Sequence, residues 1–390
     1  MFHALVIKIL ARINLWIGLL LMKRSISYDP SEIKTILVKR TDRIGDAVVS
    51  LPLLLELNKH FKITILASEY NNFFLKKLFE TKVFTEKPLN FNQSIKMLSN
   101  SLLTSFQNKK DNTPQYDLFL DLSGLRELDI FLKIKKDNLC KYYISFNMGI
   151  WNRMLDYAHP GYPVLFSKKH ILDSYKELIS GALDIDIDIP DCTDVSDKME
   201  KPNDFNGKGF ILVNISGIEK FRGPSSKMYA EIINEINFNG EFVIMDELER
   251  PHFEEFKKYI KKGNIIYLDR EFSLWELLYI SSKSKLYLGS DSGISHLLQI
   301  PTNAILFFGN PPQEVWRPYS KNPYRNKTER DIIIEETKTS SNLIKKIIYG
   351  RAWCRPCFDF GCQKPQCLSF SRNIVTSELN STIKELFQID

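Results

Sequence analysis

Two aspartates, Asp46 and Asp291, stand in short glycine turns surrounded by groups suited to anion chemistry. The first turn runs Arg40-Thr-Asp-Arg-Ile-Gly-Asp46 and the second Gly289-Ser-Asp-Ser-Gly-Ile-Ser-His296. A glycine turn between strand and helix aims backbone N–H groups and the positive helix end at one spot, which suits a phosphate. A carboxylate in the first helical turn is held ionised by the dipole and can accept a proton. Asp46 therefore reads as a general base, or as a plain N-cap with Gly45 making the bend. Arg40 and Arg43 beside it favour a phosphorylated or acidic ligand. In the second turn Ser292, Gly293 and Ile294 open a helix and offer N–H groups to a diphosphate. Asp291 is placed to accept from sugar hydroxyls. His296, one turn on, either reaches the same rim or is a core histidine bonded to backbone. Gly309 follows the next apolar run and begins a second loop on that edge. Upstream, Ser216 ends another strand-like run, and Lys220 and Arg222 follow as cations able to neutralise a departing diphosphate. No Gly-x-Gly-x-x-Gly turn or Walker lysine pattern accompanies these residues, so neither a dinucleotide nor a P-loop nucleotide is indicated.

Alternating strand-like and helical runs must position these turns. In the first half strands are expected at Thr35–Arg40 and over 62–67, 116–122 and 140–146, with helices over 48–59, 71–79 and 125–134. The Asn- and Ser-rich stretch 90–113 reads as a loop. The acidic stretch 184–208, with Pro190 and Pro202, holds the linker. The second half restarts the pattern, with strands over 210–215, 242–245, 265–268, 286–288 and 304–308 and helices over 226–236 and 274–281. This is an α/β pattern with parallel sheets. It predicts an N-terminal domain over 31–190, a linker over 191–208 and a second domain over 209–350. A cysteine-rich segment and a closing helix over 377–387 complete 351–390. Ligands of open α/β sheets gather at the carboxyl ends of strands, where both turns fall.

The bulk numbers are those of an ordinary globular chain: 390 residues, 44% hydrophobic, 26% charged, net charge +6. That mild excess suits acidic substrates or an anionic membrane surface and is too small to indicate nucleic acid. Residues 4–22 are apolar but interrupted by Lys8, Arg12 and Asn14, so the stretch falls short of a span. As a helix, residues 1–30 are amphipathic, either lying at a membrane interface or packed on the protein's own surface. No cleavage signal follows them, which predicts a cytoplasmic, reducing location and no disulfide framework. Cys354, Cys357, Cys362 and Cys367 have the spacing of a small structural zinc site, or form a tightly turned reduced loop.

Taken together, the two turns resemble glycosyltransferase family 9, the ADP-heptose:lipopolysaccharide heptosyltransferases. The likeness rests on the Arg-to-Gly-Asp46 turn followed by Leu51-Pro52, on Asp291 to His296, and on Phe308-Gly309. It covers residues 35–390. The resemblance implies a GT-B architecture of two Rossmann-like domains facing across a cleft, and an inverting transfer that needs no metal or other cofactor. Asp46 matches the family's base, Asp291 its donor-sugar contact, Ser292, Gly293 and His296 its diphosphate turn, and Arg222 its cation. The implied partners are a nucleotide-diphosphate sugar, ADP-heptose among the candidates, and a lipopolysaccharide or other lipid-linked glycan acceptor. The implied place of action is the inner face of the cytoplasmic membrane. At Arg222-Gly-Pro the chain departs from the family's Lys-x-Trp-Pro, which leaves the sugar and nucleobase open. The alternative is a membrane-associated nucleotide-sugar or glycan-binding protein of the same fold without catalysis.

Overall fold

The computed structural model describes residues 28–84, 113–123, 128–147, 152, 154–160, 169–216, 222–246, 251–309, 311–352, 366–368 and 371–388. Most of residues 1–30, expected as an amphipathic helix, lies outside these residues, as do Lys220, Cys354, Cys357 and Cys362. No helix among the described residues is long and apolar enough to cross a membrane. Among the same residues no cluster of His, Cys, Asp and Glu could hold a metal ion. The chain divides into two compact units, Met1–Ile189 and Pro190–Asp390.

The first unit is a six-stranded parallel sheet in the order β3-β2-β1-β4-β5-β6. Its strands are β1 (Thr35–Arg40), β2 (Lys62–Ser68), β3 (Glu80–Phe84), β4 (Tyr116–Asp121), β5 (Cys140–Phe146) and β6 (Tyr157–His159). In β1 every residue after Thr35 is buried. Strands covered on both faces need such continuous apolar runs. The order reverses between β1 and β4, so a topological switch point opens at their carboxyl ends. Phe131 packs edge to face on both Phe119 and Tyr143 within the core.

The helix expected over 48–59 is two helices, α1 (Ile44–Val49) and α2 (Leu51–His60), parted at Ser50. Pro52, in the first turn of α2, has no N–H to continue the earlier ladder, and that restarts the helix. The early start of α1 places Gly45 and Asp46 inside its first turn. The other α-helices among the described residues of the unit are α3 (Glu69–Leu75), α4 (Leu128–Lys136) and α5 (Ile171–Leu183).

The second unit holds an eight-stranded sheet in the order β12-β13-β14-β11-β10-β7-β8-β9. Here β7 (Ile211–Asn214), β8 (Phe242–Met245), β9 (Ile265–Tyr267), β10 (Leu286–Ser290), β11 (Asn303–Phe307) and β14 (Ile344–Gly350) run parallel. The antiparallel strands β12 (Arg325–Glu329) and β13 (Ile332–Lys338) are an addition that the sequence reading missed. Arg330, in the left-handed region at φ 51°, turns the chain between them. The α-helices among its described residues are α6 (Ser226–Glu235), α7 (Phe253–Tyr259), α8 (Leu274–Lys283), α9 (Gly293–Leu298), α10 (Gln313–Trp316) and α11 (Arg372–Phe387). The closing helix α11 begins at Arg372 rather than 377, which brings Val375 into the core beside Leu379 and Ile383. The order β9-β8-β7-β10-β11 repeats that of the first unit, with its own switch point between β7 and β10.

Under this sheet Lys345 of β14 is fully buried and donates to the carbonyls of Gln299, just past α9, and of Thr302, the latter at 2.7 Å. Burial lowers its ammonium to about 7, with Asp191 acting in the opposite direction. Between about pH 7 and the ordinary lysine value of about 10.4, the unfolded chain then binds a proton that the folded one does not. Stability should therefore rise with pH across that window, by up to about 1.4 kcal/mol per unit. Urea unfolding of the wild type and Lys345→Met at several pH values measures the difference. The excess slope disappears in the variant if this lysine carries it.

Candidate functional site

In the first unit the turn after β1 is built around one buried cation. Arg40 is 1% exposed; its Nε donates to Asp42 Oδ1 at 3.2 Å, its Nη2 pairs with Asp42 Oδ2, and its Nη1 donates to the Tyr175 hydroxyl at 3.2 Å. The guanidinium also lies 5.6 Å from the Tyr175 ring centre. Burial alone would lower its pKa, but Asp42, Tyr175 and Asp46 around it raise it well above the ordinary value. Asn71 Nδ2 donates to the backbone carbonyls of Arg40 at 2.7 Å and Asp42 at 2.9 Å. The turn is thus held from α5 by Tyr175 and from α3 by Asn71.

Arg43 is exposed and occupies the N-cap of α1. Asp46 is therefore not the cap: it sits three residues in, half-buried, on the first turn. Next to this turn, across the switch point, Lys39 and Asp121 form a buried pair with Nζ to Oδ1 at 3.6 Å. Ser123 joins it, accepting from Lys39 at 3.0 Å and donating to Asp121 at 2.8 Å.

In the second unit the described residues singled out from sequence collect around the β7–β10 switch point. Ser292 caps α9, its Oγ accepting from Ser295 N at 3.3 Å. The Ser295 hydroxyl meets Tyr287 Oη at 2.8 Å and Ser292 Oγ at 3.0 Å. Gly293 and Ile294 form the first turn, both partly exposed. Asp291 is buried between two basic groups, with His296 Nε2 3.4 Å from Oδ1 and Arg222 Nη1 3.9 Å from Oδ2. Arg222 Nη1 also donates to the Asp291 carbonyl at 3.5 Å, and its own carbonyl accepts from Gly309 N at 3.0 Å. Ser216, at the end of the β7 segment, donates from N and Oγ to Asn214 Oδ1 at 3.0 and 2.5 Å, and its carbonyl accepts from Ser290 Oγ at 3.3 Å. Three loops, after β7, β10 and β11, are thereby joined into one rim.

Two of these segments meet tightly at Gly223. A Cβ there would stand 2.2 Å from Ser290 Cβ and 3.0 Å from its Oγ. Gly223→Ala must push apart the segments that carry Arg222 and Asp291. It should cost about 1–3 kcal/mol in urea unfolding, the usual range for overpacking, and weaken ligand binding at this rim.

Several side chains that shape these rims carried no sequence signal. Tyr175, Asn71 and Asp121 belong to elements distant in sequence from the turn they support. Asp246, buried at the end of β8, accepts from His252 N at 2.7 Å and Phe253 N at 3.2 Å and meets His252 Nδ1 at 2.8 Å. Glu335 accepts from Arg317 Nη1 and from the Tyr349 hydroxyl, both at 2.6 Å, and braces the segment after Gly309. Of the cysteine cluster, Cys367 is described and is buried.

Two Rossmann-like α/β units in one chain, each with a polar rim at its switch point, define the GT-B type of fold. Solved structures share it. The chain superposes on a glycosyltransferase family 9 protein from Veillonella parvula with a TM-score of 0.54 and 13% identity, covering 76% of this chain and 86% of that one. It superposes on the E. coli heptosyltransferase WaaC with ADP-2-deoxy-2-fluoro heptose with a TM-score of 0.53 and 14% identity, over 89% and 99% of the two chains. WaaC with ADP gives a TM-score of 0.51 and 17% identity, over 72% and 90%. No protein-family model and no curated protein matches the sequence.

Proposed function

We propose that the protein is a glycosyltransferase of heptosyltransferase type that moves a sugar from a nucleotide-diphosphate donor to a surface-glycan acceptor. The observation that carries this reading is the rim of the second unit, where Ser216, Arg222, Asp291, His296 and Gly309 surround a helix N-terminus at a topological switch point. That arrangement suits a diphosphate beside a sugar. The fold is shared with a structure containing an ADP-heptose analogue, which makes ADP-heptose the first donor to try.

In the first unit, Asp46 is assigned the role of general base. It takes the acceptor hydroxyl's proton as that oxygen forms a bond to the anomeric carbon and the bond to the diphosphate breaks. Attack opposite the leaving group inverts the centre, and backbone N–H groups, Arg222 and His296 stabilise the departing charge. The assigned transfer needs no metal. Arg43, exposed beside the base, is the cation placed to meet an acidic acceptor, whereas Arg40 holds the turn. A lipid-linked acceptor places the reaction at the cytoplasmic face of a membrane.

The test is a thermal-shift screen of the purified protein against nucleoside diphosphates and their sugars. At 100 times its dissociation constant a ligand stabilises the fold by about 2.7 kcal/mol. A selective shift with one nucleotide-sugar, abolished by Arg222→Ala, supports the reading. No shift with any of them, on folded protein, overturns it.

A further inference from the structure

The first unit, among its described residues, leaves apolar surface uncovered on one short helix and on the edge strand beside it. Among its described residues, the large hydrophobic side chains that remain exposed are Tyr70 at 82%, Phe73 at 47% and Val83 at 40%. Tyr70 and Phe73 stand three residues apart on α3, so they share a face. Lys76 and Lys77, both exposed, continue that face beyond the helix end. The opposite side of α3, with Asn71, Phe74 and Leu75, is buried, so the rings cannot turn inward without emptying the core. Val83 lies on β3, the edge strand in contact with α3. Glu69 is the sole carboxylate of the helix.

Exposed rings followed by lysines match the chemistry of a bilayer interface. Aromatic side chains settle at headgroup level, and lysines are drawn to anionic lipids. We infer that Tyr70, Phe73, Lys76 and Lys77 form a docking face for an anionic lipid surface. Placement supports that occupant. Asn71, on the inner side of the same helix, ties α3 to the carbonyls of Arg40 and Asp42, in the turn that leads to Asp46. A bilayer touching α3 lies beside the proposed base, where an acceptor anchored in that bilayer has to arrive. The choice of a bilayer as occupant rests on the transfer reading, whereas donor binding is measured separately, so the two can fail independently.

The experiment is co-sedimentation of the full chain with vesicles of phosphatidylcholine alone or with about 30% phosphatidylglycerol. Tyr70→Ser/Phe73→Ser should weaken partitioning about tenfold on the anionic vesicles. Lys76→Ser/Lys77→Ser should weaken it about fivefold per lysine on anionic vesicles and leave neutral ones unchanged. Thermal midpoints and donor-induced shifts should match the wild type in both variants, since these side chains are exposed. The inference is overturned if the wild type ignores anionic vesicles, or if both variants sediment as it does. It is equally overturned if the aromatic variant changes molar mass by light scattering, which would make the face a contact between copies. A raised KM for a lipid-free acceptor with unchanged partitioning would make it a sugar-stacking platform instead.

Discussion

Asp46→Asn should lower kcat for sugar transfer by about 10²–10⁴-fold, the usual contribution of a positioned general base, while leaving the donor's dissociation constant within about twofold. Asparagine keeps the size of the side chain at the third position of α1 but cannot take a proton. The rim proposed to hold the donor belongs to the other unit, so its affinity should not depend on this carboxylate. One confounding effect is checkable. The charge of Asp46 is among those that hold Arg40 in its ionised form. The unfolding midpoint therefore has to be measured beside kcat, and only a loss of turnover in a folded variant counts as loss of a base. Calorimetric titration with donor, paired with single-turnover transfer, separates binding from chemistry. Turnover near the wild-type value would remove Asp46 from the mechanism and leave it a helix-dipole residue.

Arg40→Met should destabilise the first unit by about 3 kcal/mol and abolish transfer along with it. The guanidinium is the positive partner of Asp42, whose side chain is 8% exposed, and methionine strands that carboxylate. Breaking one side of a buried pair costs about 3–5 kcal/mol because an uncompensated charge remains. Here Asp42 keeps a little solvent, which puts the expectation at the lower end of that range. The variant also loses the Tyr175 hydrogen bond from α5. Arg40→Met/Asp42→Asn should recover part of the loss, since both charges are then gone. A double variant no more stable than the single one would refute the ion-pair explanation. The cost would then lie in packing against Tyr175.

Much of the fold was legible because parallel strands buried on both faces write themselves as continuous apolar runs. The runs beginning at Thr35, Cys140, Phe242 and Leu286 all become strands. Hairpin β12–β13 was not legible: its first strand, Arg-Asn-Lys-Thr-Glu, is polar and mostly exposed. Nor was the division of the first long helix, because Pro52 is compatible with a helix's first turn and does not announce that a new helix starts there. The two glycine turns stood out because glycine, aspartate and basic residues at short spacing after an apolar run are local features.

The sequence alone determined that this chain is α/β, that it contains two glycine turns with aspartates, and which local groups could meet an anion. Those properties depend on neighbours within a few residues, where periodicity and residue type are enough. Tertiary structure decided how the groups are used. It buried Arg40 against Asp42 and Tyr175 and left Arg43 in solvent, though both looked alike as cations near a turn. It brought Arg222 onto Asp291, 69 residues away in sequence, by placing the segment after β7 next to the end of β10, with His296 of the same turn at the other carboxylate oxygen. It also placed Tyr70 and Phe73 outside and Phe74 inside on one short helix. Which face of an element meets the core, and which distant loop meets its rim, depends on strand order, and strand order is a property of the whole sheet rather than of any local stretch.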